Sequence, residues 1–102
     1  MIIIPGTTPT LALALDTSIA GCTAAEFCLV CENVRILRSL SELSVSADGT
    51  EVSVRLTQSE TLTLPDNRIA KVQLRVMRDG TVFATDVLAV PTKELLHREV
   101  LL

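Results

Sequence analysis

Arg68-Ile69-Ala70-Lys71-Val72-Gln73-Leu74-Arg75-Val76-Met77-Arg78, followed by Asp79-Gly80-Thr81 and Val82, alternates apolar and polar side chains over a full strand length. Successive side chains of an extended chain point to opposite faces, so Val72, Leu74 and Val76 share one face and Lys71, Gln73 and Arg75 the other. Asp-Gly tolerates the positive φ angles of a tight type I′ turn, so the chain is expected to reverse there and return antiparallel over Val82 to Val90. The same device stands at Ala47-Asp48-Gly49-Thr50, between Leu43/Val45 and the alternating Val52, Val54 and Leu56. Two hairpins built on a period of two place the chain in the all-β class.

The flanking segments repeat that period. Thr8 to Leu15 puts Leu11, Leu13 and Leu15 on one face and Ala12 and Ala14 on the other, before a turn at Asp16-Thr17-Ser18. Ala24 to Glu32 reads as a strand with Phe27, Leu29 and Cys31 on one side; Glu32-Asn33 breaks it, and Val34 to Ser39 forms another. Ile2 to Ile4 reads as a short strand ended by Pro5-Gly6. Thr57-Gln58-Ser59-Glu60 has capping-box spacing, which predicts one helical turn crossing between sheets before Leu62 and Leu64. Pro65-Asp66-Asn67 is a turn, and Thr92 to Leu96 is either a helical turn or the close of the last strand. The expected fold is an antiparallel immunoglobulin-like β-sandwich of about seven or eight strands with one short helical turn, a small antiparallel barrel being the alternative.

With 102 residues the chain has room for a single domain, residues 1–102. Hydrophobic residues make up 48% and aromatic ones 2%, so the core is aliphatic and neither base-stacking platforms nor aromatic sugar-binding faces are expected. A net charge of −3 makes nucleic acid an unexpected partner. Residues 1–34 hold no Lys or Arg and three acids, Asp16, Glu26 and Glu32, so this third is expected to be the most buried. No run approaches the ~18 apolar residues of a membrane span, and no membrane association is expected. Ile19-Ala20-Gly21-Cys22 spells a lipobox, but Met1 to Asp16 carries no positive side chain and Pro5 and Pro9 interrupt the apolar run, so no export signal is expected.

Few residues suggest chemistry. The odd set Cys22, Cys28 and Cys31 suits reduced thiols better than disulfides. Their strand spacing sends Cys28 and Cys31 to opposite faces, where they cannot share a metal. His97 is the only histidine, and the four glycines are isolated turn residues rather than a phosphate loop. Asp48, Asp66 and Asp79 belong to turns and lack the alternation of a calcium loop. No catalytic residue, metal ligand or cofactor is therefore nominated, and no enzyme is expected. The candidate interface residues are Ile2, Ile3 and Ile4 at one apolar end, Leu101 at the other, and the polar positions Arg55, Lys71, Gln73 and Arg75. Such a basic stripe either keeps an outward face soluble or docks on an acidic surface, such as the first third of a second copy.

Several phrases, taken in order, resemble small prophage-encoded virion structural proteins of Gram-positive gut bacteria. Gly6-Thr7-Thr8-Pro9-Thr10 before alternating leucines is similar to their usual start, and Leu56-Thr57-Gln58-Ser59-Glu60-Thr61-Leu62 resembles their "LTQEETL" phrase. Val72 to Val76 leading to Asp79-Gly80, Ala84-Thr85-Asp86 and the Leu-rich tail match in kind and order. The Cys22 to Cys31 segment departs from that pattern, whose start is also more charged. The resemblance covers nearly the whole chain. It implies a non-catalytic tail or baseplate component, made in the bacterial host cytoplasm and located in the virion, with other phage structural proteins or further copies of itself as partners. A carbohydrate- or surface-binding module is the alternative, and a small enzyme with a Cys nucleophile the third reading.

Overall fold

A computed structural model describes all residues, 1–102. Its strands are β1 (Thr10–Ala14), β2 (Ala24–Cys31), β3 (Val34–Ser39), β4 (Ser44–Val45), β5 (Glu51–Arg55), β6 (Ile69–Arg78), β7 (Thr81–Ala84) and β8 (Leu88–Pro91). They form two antiparallel sheets, β1-β5-β4 and β3-β2-β6-β7, with β8 also paired to β6. These are the B-E-D and C′-C-F-G orders of an immunoglobulin-like sandwich, β7 and β8 together making the last strand.

Alternation builds the core. Leu11 and Leu13 of β1, with Val52 and Val54 of β5, face Phe27 and Leu29 of β2 and the even-numbered residues Ala70 to Val76 of β6. Ile3, Ile19 and Leu64 enter the same cluster from the connections. The expected crossover helix is α1 (Gln58–Leu62), where the Glu60 amide donates to the Thr57 hydroxyl at 3.1 Å and the Thr57 amide donates to Glu60 Oε1 at 2.9 Å. The Thr57 and Glu60 amides, free of partners within the helix, are thereby satisfied. The sequence reading missed a second short turn, a 3₁₀ segment at Leu40–Glu42, where the Glu42 carboxylate accepts from the Ser39 amide at 3.0 Å. It also missed a third hairpin: Cys31 pairs with Val34, so Glu32-Asn33 is a two-residue reversal, with Glu32 at φ 53°.

Three expectations need correction. Asp79 and Gly80 have φ of 53° and 78°, as a type I′ turn requires, but at the other hairpin only Gly49 is positive. There the Asp48 carboxylate accepts from the Ser46 hydroxyl (2.7 Å) and from the Thr50 amide (3.1 Å), holding Asp48 in a different, wider turn. Val82 to Val90 is not one strand: pairing shifts by one residue between Arg75↔Ala84 and Val72↔Leu88. Thr85 fills the break by donating its amide to the Leu74 carbonyl (2.9 Å) and accepting the Leu74 amide on its hydroxyl (3.1 Å). Ile2 to Ile4 is not a strand either, since only Ile3 bridges, parallel, to Thr92. Of the two readings of Thr92 to Leu96, no helical turn forms, and the close of the last strand holds at Thr92 alone, whose amide donates to the Arg68 carbonyl at 2.8 Å just beyond β8.

Candidate functional site

The nominated interface residues do not form one surface. Lys71, Gln73 and Arg75 point outward from the five-stranded sheet, whereas Arg55 points outward from the three-stranded sheet on the opposite side of the sandwich. Part of the stripe is also neutralised: Arg75 pairs with Glu26 at 3.4 Å, and the Gln73 amide donates to the Thr85 carbonyl at 2.9 Å. Ile3 is 0% exposed and belongs to the core, so it leaves the interface list. Its amide donates to the Pro91 carbonyl and its carbonyl accepts from Lys93, which draws the side chain inward and leaves Ile2 and Ile4 exposed. Leu101 is 81% exposed and is held only by its backbone, through the Gln58 amide.

The thiols and the histidine are likewise scattered. Cys31 is buried in the core, where burial and then the neighbouring Glu32 charge push its thiol above the ordinary range, against a smaller opposing pull from Arg68. Cys28, on the other face of β2, is half-buried. His97 lies in the exposed tail, 3.6 Å from Glu99. No cluster of three or more His, Cys, Asp or Glu side chains is placed to hold a metal ion.

What the fold does gather is a groove of about 530 Å³ between the two sheets, along one open side of the sandwich. Val72, Leu74 and Val76 of β6 form its floor, Leu13 and Leu15 one wall, and Phe83 and Leu88 the other. Asp16 and Asp86, both exposed, stand at its rim, and no Lys or Arg lines it. Arg78 lies beyond one wall, its guanidinium 6.0 Å from the Phe83 ring centroid and donating to the Ser18 carbonyl at 2.6 Å.

The strands flanking this groove are sheet edges. β1 has β5 as its only neighbour, and β7 and β8 have only β6. The Leu15 amide and the Pro9 carbonyl both bond across to β5 or its flanks. By alternation, the backbone groups of Thr10, Ala12 and Ala14 therefore face away from β5 with no strand beside them. In the immunoglobulin arrangement a further strand lies beside this one, completing the order A-B-E-D. Here that lane is empty next to β1.

This groove was not found from the sequence. The pairing of Leu13 and Leu15 with Ala12 and Ala14 marked an inward face, but nothing local to it says which neighbour is missing. Neither the comparison with protein-family models nor that with curated proteins finds a match for this chain.

Proposed function

We propose that this protein is a non-catalytic structural component of a phage or prophage virion, of tail or baseplate type, acting through protein–protein assembly. The observation that carries the assembly reading is the apolar groove set between two unpaired strand edges. An exposed strand edge is a template for further pairing, and an apolar cleft beside it rewards the side chains that pairing brings in. The ordered phrases from Gly6 to Thr10, Leu56 to Leu62 and Val72 to Gly80 are what link that behaviour to a virion.

The test is the composition of the particle. Particles induced from the bacterium that carries the gene, purified and analysed by quantitative mass spectrometry, should contain this chain at a fixed ratio to the major tail proteins. Intact particles that lack it would overturn the reading. Light scattering of the purified protein with the products of adjacent genes should show complexes, and a strict monomer that binds none of them would count against it.

A further inference from the structure

We propose that the groove seats an extended segment of another protein, alternating apolar and basic residues, which pairs with β1 as the strand that the three-stranded sheet lacks. This rests on the assembly reading above and names the chemistry of the partner.

The sheet edges are protected unequally. Proteins blunt exposed edges with charge, proline or brevity. Among the outer edges here, β3 carries Arg35 and Arg38, and β4 is only two residues long. The edges beside the groove are more lightly guarded: β1 reads Thr-Leu-Ala-Leu-Ala with its proline, Pro9, only before it, and β7 and β8 carry no charged residue, with Asp86 between them and Pro91 at the far end of β8. Val82, Val87 and Leu88 are large, apolar and exposed along that second edge. Two lightly guarded edges facing each other over an apolar floor fit one inserted strand.

Charge narrows the occupant further. The charged residues lining the groove, Asp16 and Asp86, are both acidic. A strand laid beside β1 presents alternate side chains inward and outward. Its inward residues meet Leu13, Leu74 and Phe83, and long side chains that leave the groove over its rim come near Asp16, just after β1, or Asp86, between β7 and β8, where Lys or Arg is attracted and Asp or Glu repelled. The five residues of β1 set the paired length at about 17 Å. A second copy of this chain is a poorer occupant. Its exposed apolar segment near Leu101 carries Glu99, and the one arginine there, Arg98, is already paired with Asp66.

The probe is an acetylated, amidated eight-residue peptide of alternating Lys and Val or Leu, titrated into the whole protein and followed by amide chemical shifts. Saturable shifts at residues 10–14 and 83–88 are expected, with no response to the matching Glu peptide. N-methylation of the peptide on the edge facing β1 should abolish binding, a result that does not depend on any variant folding. Asp16→Asn combined with Asp86→Asn should weaken the Lys peptide about fivefold at low salt and much less at high salt. Equal binding of the Glu peptide, shifts confined to another face, no binding at millimolar peptide, or concentration-dependent dimerisation that fills the groove would each overturn the proposal. If the chain is present in particles but the peptides fail, the partner chemistry is wrong and the assembly role stands. If the peptides bind but the chain is absent from particles, the groove chemistry stands and the virion role is wrong.

Discussion

Gly49 meets two demands that no other residue type satisfies together. Its φ is 74°, in the region L-residues avoid, and a Cβ there would stand 2.5 Å from the Ala20 amide nitrogen. The loop before β2 is pressed onto the turn at this point, with the Ile19 amide donating to the Gly49 carbonyl at 2.9 Å and the Ser18 hydroxyl to the Asp48 carbonyl at 2.5 Å. Gly80 has a similar φ of 78° but open space around it. Gly80→Ala should therefore cost about 1 kcal/mol of backbone strain alone. Gly49→Ala should cost about 3 kcal/mol, because the Ala20 backbone must also move. At roughly 4–8 °C per kcal/mol, differential scanning calorimetry separates the two, and equal losses would refute the packing argument. The thiols give a second residue-scale test. Cys31 is buried with its thiol pushed up, so native-state alkylation should modify Cys22 and Cys28 first and reach Cys31 only as the protein opens. Early labelling of Cys31, read by mass spectrometry, would contradict its placement in the core.

At the scale of elements, Ile3 acts as a one-residue substitute for a strand. It is fully buried and its backbone is tied to Pro91 and Lys93, while Ile2 and Ile4 are exposed. Ile3→Ala should cost about 2–4 kcal/mol in urea unfolding. Ile2→Ala should stay within about 0.5 kcal/mol, and a comparable loss at Ile2 would show the wrong residue placed inside. Three identical side chains in a row gave the sequence no alternation to read, which is why the inward one was not singled out there. Where alternation exists it is local and legible: β2, β3, β6 and the Asp79-Gly80 turn could be read before any contact was known. The α1 turn was legible for the same reason, since Thr57 and Glu60 are three residues apart. Asp48-Gly49 misled because the same dipeptide takes its turn type from its flanks, here Ser46 and Thr50, which hold the Asp48 carboxylate. The groove was illegible because an empty lane is a property of sheet order. Leu13 and Leu74 are 61 positions apart in the chain, and no window along it contains both.

Across the whole molecule, the chain crosses between the two sheets three times, and the fastening of the last crossing, from β5 through α1 to β6, is electrostatic. The Arg38 side chain, from the edge of the five-stranded sheet, pairs with Glu60 of α1, and that same carboxylate caps the helix through the Thr57 amide. Both side chains of the pair are largely withdrawn from solvent. The Arg38 hydrogen bond, followed by the Thr57 amide and hydroxyl, outweighs burial and holds the Glu60 carboxyl below its ordinary value of 4.5. Glu42 and Asp48 are also lowered, by the Ser39 backbone and by the Ser46 and Thr50 hydroxyls respectively. A carboxyl depressed in the folded state binds fewer protons there than in the unfolded chain, so its stabilisation is complete above the unfolded value and is lost as pH falls through the folded one. Stability should therefore be flat from pH 7 to about 5 and fall below it, as Glu60 is protonated and both the ion pair and the cap loosen. Glu60→Gln should lower stability at pH 7 by about 1–2 kcal/mol and make the acid limb shallower, since the variant has no proton to take up at that position. Thr57→Ala removes the cap but leaves the ion pair, so it should lower stability by about 1 kcal/mol while retaining most of the acid limb. Urea titrations from pH 7 to 3 on the three proteins distinguish these outcomes. An acid limb unchanged by Glu60→Gln would move the acid sensitivity away from the crossover and onto the exposed turn carboxylates.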